Sequence, residues 1–215
     1  MSTTRVQLID KNTTVGTAAA EDTKIVFDGN AQAYHVGLDD SDDSLTIGLG
    51  SALGTTSYMN INADGSITKP LQPAFLVKPS STQENFNQGQ TITINFGTEV
   101  FDNNGDFASN TFTAPVTGRY AFQYHVQIND ISTQDSGTYY YIEINTSNRV
   151  FYELSSINAA IGSSSGQNYF CFTGSVTADM DASDTCNLRV VMGGTSGTGP
   201  SDISTNSHFS GHLVC

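Results

Sequence analysis

The side chains here that could do chemistry are clustered aspartates, two spaced histidines, a run of tyrosines and one Gly-Ser motif. Gly162-Ser163-Ser164-Ser165-Gly166 has the outward form G-x-S-x-G. Its serine becomes a nucleophile only on a sharp strand-to-helix elbow. The motif sits in a Gly/Ser-rich stretch between β segments and reads as a flexible loop. Asp39, Asp40, Asp42 and Asp43 could offer oxygens to a hard cation, and Ca2+ is the cation such a set would take. They lack the alternating ligand spacing and the closing Glu of a calcium loop, so they read first as a solvated hairpin tip; no other cofactor is expected. Asp102-Asn103-Asn104-Gly105-Asp106 has the same two readings, loop first. His208 and His212 lie four apart on a predicted strand and therefore face one side. That spacing is compatible with metal binding or pH sensing. Because both flank Phe209 and Leu213, outward or interface positions are the simpler account. Tyr139 and Tyr141, within Tyr139-Tyr140-Tyr141, are candidates for saccharide stacking, with alternating core and interface use as the plainer reading. Cys171, Cys186 and Cys215 form no CxxC pair, which speaks against structural zinc. They are expected as free, buried thiols. Asn12-Thr13-Thr14 and Asn145-Thr146-Ser147 match a glycosylation acceptor. No pair of carboxylates stands out for glycoside hydrolysis, so no enzyme is expected.

The elements that must position these residues are strands. Ile92, Ile94 and Phe96 share one face. Tyr120, Phe122, Tyr124, Val126 and Ile128 share another, with Ala121, Gln123, His125 and Gln127 opposite. Tyr140, Ile142 and Ile144 follow, then Phe170 and Phe172, then Leu188, Val190 and Met192, then Phe209 and Leu213. A period of two over so many segments predicts antiparallel sheets with one face buried. About eight or more strands in ~145 residues fit an all-β jelly-roll sandwich.

The rest of the chain is different in texture. Residues 1–70 are short apolar pieces cut by Asp, Gly and Asn, carrying a charge of −5, against −8 for residues 71–215. Lys24–Phe27, Tyr34–Leu38, Ser44–Leu49 and Tyr58–Ile61 read as short strands. Asp28-Gly29 and Asp64-Gly65 favour tight hairpin turns between them. The reading is an extended anchoring arm over 1–20, a β-rich stem over 21–70 and a jelly-roll head over 71–215. The prolines of Lys69-Pro70-Leu71-Gln72-Pro73 keep the boundary extended. About seventy such residues have difficulty burying a core alone and usually need other chains or a supporting surface.

Composition narrows the function. The 215 residues hold 8 Lys+Arg against 21 Asp+Glu, a net charge of −13, which argues against nucleic-acid binding. No run of about 18 apolar residues exists, so no membrane insertion is expected. The N-terminal residues do not read as a signal peptide.

Thr111-Phe112-Thr113-Ala114-Pro115-Val116-Thr117-Gly118-Arg119-Tyr120-Ala121-Phe122-Gln123-Tyr124-His125-Val126 resembles the signature of the C1q/TNF-like head domain. Phe96 to Phe107, with Asn-x-Gly at 103–105, is similar to the family's approach to that signature. Pro73-Ala74-Phe75 resembles its opening strand. Asp184 to Val190 resembles a later strand, with Ser183 where Gly is usual, and Ser207 to Leu213 resembles the closing one. The resemblance covers about 73–215. It implies a ten-stranded jelly roll that forms homotrimers, with Phe112, Tyr120, Phe122, Tyr124, Phe170, Phe172, Phe209 and Leu213 packing core or trimer interface. The chain departs from the animal members in having no Gly-X-Y repeat. Phe27 to Ser51 resembles segments of bacteriophage tail-fibre and virion-surface proteins. The two resemblances together imply a homotrimeric virion spike or short fibre, made in the host cytoplasm and located on the virion surface. Residues 1–70 would dock on a capsid or tail protein, as in capsid decoration, and the exposed head would contact host-surface glycans. The alternative is a secreted C1q-like lectin or ligand without a virion role.

Overall fold

The computed structural model describes residues 14–131, 139–156, 169–193 and 201–215. The chain divides into two compact units, Met1–Leu71 and Gln72–Cys215. Among the described residues both units are built of strands and turns, and no helix is long and apolar enough to cross a membrane.

The first unit is one antiparallel sheet in sequence order: β1 (Thr23–Phe27), β2 (Tyr34–Asp39), β3 (Ser44–Leu49), β4 (Ser57–Ile61) and β5 (Ile67–Thr68). Turn chemistry sets its register. Asp43 takes a left-handed φ of 55° at the four-residue tip between β2 and β3. Asp64-Gly65 makes the expected tight turn, with the Ser66 N–H donating to Asp64 Oδ1 at 2.8 Å. Asp28-Gly29 does not. It opens a longer connection over 28–33, in which Gly29 lies against the Gln32 carbonyl rather than at a positive φ.

The second unit continues with β6 (Ala74–Lys78), β7 (Gln83–Phe86), β8 (Gln90–Thr93), β9 (Thr98–Asp102), β10 (Phe107–Ala108), β11 (Thr111–Thr113) and β12 (Gly118–Asn129). It ends with β13 (Tyr139–Thr146), β14 (Val150–Ser156), β15 (Phe170–Met180), β16 (Thr185–Gly193), β17 (Ser201–Ile203) and β18 (His208–Leu213). One sheet runs β7-β17-β12-β18-β6-β9, with β15 also on β12; the other runs β10-β11-β16-β13-β14, with β8 also on β16. Non-sequential neighbours such as β6 beside β18 make this a jelly-roll sandwich rather than a meander. The alternation dictates the layering. Along β12, Tyr120, Phe122, Tyr124, Val126 and Ile128 are buried, and the residues between them face outward.

Aromatic rings join the two sheets. Phe75 on β6 stacks on Phe112 of β11 at 5.0 Å and meets Phe209 edge-on at 5.2 Å. Phe112 reaches Tyr120 at 5.3 Å, and the Tyr120 hydroxyl donates to the Val116 carbonyl at 2.8 Å. That bond ties the turn carrying Pro115 to the strand it feeds. At the other end of the core the hydroxyls of Tyr140 and Ser201 meet at 2.8 Å, so the buried phenol keeps a polar partner.

Candidate functional site

The residues forecast for the core are in it. Phe112, Tyr120, Phe122, Tyr124, Phe172 and Phe209 are buried, and Phe170 and Leu213 are partly buried against them. Because β13 alternates, placing Tyr140, Ile142 and Ile144 inward obliges Tyr139, Tyr141 and Glu143 to stand on the outer face of their sheet.

There the tyrosines form a stripe. The Tyr139 and Tyr141 rings are parallel within 8° at 6.0 Å, and Tyr141 meets Tyr152 of β14 at 5.6 Å. Tyr152 is 67% exposed. Gly193 lies opposite Tyr139 in the register, and a Cβ there would fall 2.0 Å from the tyrosine ring. The absent side chain is what lets Tyr139 lie across the backbone. Glu143 faces Arg189 of β16 across the register, and their 2.6 Å ion pair sits half-buried beneath the tyrosines. Burial, then the Glu143 carboxylate, pushes the Tyr141 phenol above its ordinary value, so it is neutral at any physiological pH. The face offers flat apolar rings, hydroxyl groups and a locally balanced charge. Such a surface suits the C–H face and hydroxyls of a sugar ring.

The sequence pointed to Tyr139 and Tyr141 but not to Tyr152, Glu143 or Arg189. The hairpin register would have found them, since Glu143 pairs with both Tyr152 and Arg189.

The histidines belong to the other sheet. His208 and His212 do share one face of β18, but the ring nearest His208 is His125, directly opposite on β12 at 5.3 Å and 17°. Burial, and then the charge of His208, holds His125 below its ordinary value. His212 stands opposite Ala121 and is exposed. The tyrosine and histidine candidates therefore do not converge on one site.

The aspartates hold turns. Asp39 is buried, and its Oδ1 accepts the Ser41 N–H at 3.1 Å and the Ser41 hydroxyl at 2.6 Å. Asp42 Oδ1 accepts the Ser44 N–H at 3.1 Å, while Asp40, Asp42 and Asp43 are exposed. Asp102 closes the 102–107 loop by accepting the N–H groups of Asp106 and Phe107 at 3.1 and 2.9 Å. Asp184 accepts from the Asp181 N–H, then from Ser147 and Asn148, and those bonds hold its carboxyl below the usual range. Among the described residues no group of three or more His, Cys, Asp or Glu is placed to hold a metal ion. The cysteines correct one expectation. Only Cys186 is buried, where burial pushes its thiol far up, while Cys171 and Cys215 are exposed. Cys171 pairs with Gln127 on the outward face of β15, the side opposite the core. The Gly162–Gly166 motif and the Asn12 acceptor lie outside the described residues.

Two facing antiparallel sheets with this strand order define a C1q/TNF-like jelly roll. The C1q domain model matches residues 74–214, and the chain belongs to the C1q domain family. Among similar solved structures is the globular domain of zebrafish Complement 1qA protein, at 17% identity and TM-score 0.45, covering 67% of this chain and 98% of that one. Murine APRIL at pH 5.0 is similar at 9% identity and TM-score 0.46, covering 66% and 99%. No curated protein matches the chain.

Proposed function

We propose that the protein is a homotrimeric spike or short fibre on a bacteriophage virion. Its N-terminal unit anchors to a capsid or tail protein, and its C1q head binds host-surface glycans without catalysis. The anchoring half of this reading is supported by the likeness of Phe27 to Ser51 to phage fibre segments. The observation that carries the binding half is the exposed stripe of Tyr139, Tyr141 and Tyr152 over the Glu143–Arg189 pair. With 8 Lys and Arg in 215 residues, the chain has few cations for an acidic receptor, which favours neutral or cation-bridged sugars. Several heads on one particle multiply weak contacts into useful avidity.

Two measurements test this. Mass spectrometry and immunogold labelling of purified particles should find the chain on their surface; particles lacking it contradict the virion reading. A glycan array should give binding to neutral glycans that falls at least tenfold in Tyr152→Ala and Gly193→Val, with the thermal midpoint kept. Binding unchanged in both variants removes the tyrosine stripe from the account.

A further inference from the structure

The five-stranded sheet of the N-terminal unit has its two faces reversed with respect to an ordinary half-buried sheet. Its polar face is the buried one. His35, Asp39, Ser44 and Thr46 are all buried, under a segment that runs from Gly50 to Thr56. His35 Nδ1–H donates to the Gly50 carbonyl at 3.1 Å, and Gly54 sits over Asp39, where a Cβ would lie 2.9 Å from the carboxylate.

The opposite face is apolar and, among the described residues, largely exposed, with Val15 alongside Ile25, Val36, Leu38 and Leu45. The register stacks Ile25, Val36 and Ile47 in one row across β1, β2 and β3, and Phe27, Tyr34 and Leu49 in the next. Phe27 is 62% exposed and Ile25 48%. No charged side chain stands among them, since Lys24 and Asp39 alternate to the other side. The buried apolar core among the described residues begins at Phe75, so this unit holds no core residue of its own.

We infer that the apolar face of β1 to β5 is covered by the equivalent faces of further copies of the same chain. The inference rests on the homotrimeric reading above and names where the N-terminal units associate. Three observations select this occupant. Ile25, Phe27, Tyr34, Leu38, Leu45 and Ile47, each 39–62% exposed, form one apolar patch that spans three strands. A monomer rarely leaves a patch of that size open. The face has no charge pattern that would specify a foreign surface, whereas its rows of Ile, Val, Leu and Phe suit the lining of a three-fold axis, where each sheet meets the sheets of two other copies. The missing core of each unit is then made between copies.

The test uses the full chain with Cys171→Ser and Cys215→Ser. Ile47→Cys places one thiol at the centre of the face, and Asp64→Cys places one on an exposed turn as control. A short bismaleimide should join Ile47→Cys chains to one another at least tenfold more than the control. The unsubstituted chain should also leave the fluorescence of the apolar probe ANS unchanged, a reading that does not depend on any variant folding. If light scattering finds an oligomer but Ile47→Cys stays uncrosslinked and ANS brightens severalfold, the head alone associates and the inference falls while the trimer stands. If the chain is monomeric, both fall. A monomer that nevertheless excludes ANS would mean that the chain's own N-terminal residues cover the face, which also overturns the inference.

Discussion

The two units of this chain use the same secondary structure to opposite ends. In the C1q head, Phe75, Phe107, Phe112, Phe122 and Phe209 point inward and close a core within one chain. In the N-terminal sheet the alternation is as regular, yet Ile25, Phe27, Leu38 and Ile47 point outward and His35 and Asp39 point in. Period-two patterning fixes which residues share a face, but not which face the chain itself covers. The head has two sheets and can bury one against the other. The N-terminal unit has one, and among the described residues the segment 50–56 lies over its polar side.

Substitutions can break this contrast. The largest effect is expected from Phe75→Ala, which removes the ring touching Phe107, Phe112, Phe122 and Phe209. It should cost the head about 3–5 kcal/mol in denaturant unfolding. Ile47→Ala is the matching change in the N-terminal unit. Covered by other copies, it should cost about 2 kcal/mol or more in the full chain. A cost within about 0.5 kcal/mol, the range of ordinary surface changes, would make the face bare. Tyr120→Phe should cost about 1 kcal/mol, for one hydroxyl-to-carbonyl bond to Val116.

The smallest effects are in pH. His125 binds its proton less readily folded than unfolded, so the head should lose a little stability as pH falls through the ordinary value of 6.5 towards the lower folded one. In His208→Asn, NMR titration should find His125 moved upward and this slope flattened. Asp184 acts in a lower window. Its folded value lies below 3.8, so its contribution is present above that pH and is lost as pH falls through the folded value. Asp184→Asn should flatten the acid limb of the unfolding curve.

Much of the head was legible because its signals are local. The alternation from Tyr120 to Ile128 became a single strand, and the Asn-x-Gly loop at 103–105 became the turn closed by Asp102. What escaped was cross-strand. The sequence paired His208 with His212, four residues along one strand, whereas the near neighbour of His208 is His125, 83 positions away in the chain and opposite in the register. Tyr152 joins Tyr141 for the same reason. In the N-terminal unit the strands were visible but the reversal of their faces was not, because it depends on where residues 50–56 lie.

Homotrimer formation is the claim on which the spike, the avidity of its heads and the shared N-terminal core all depend. Static light scattering on the full chain, coupled to size exclusion, measures it without labels or variants. The account predicts a particle of three times the 22.9 kDa chain mass, unchanged on dilution to low micromolar concentration. A mass of 22.9 kDa across that range would contradict it.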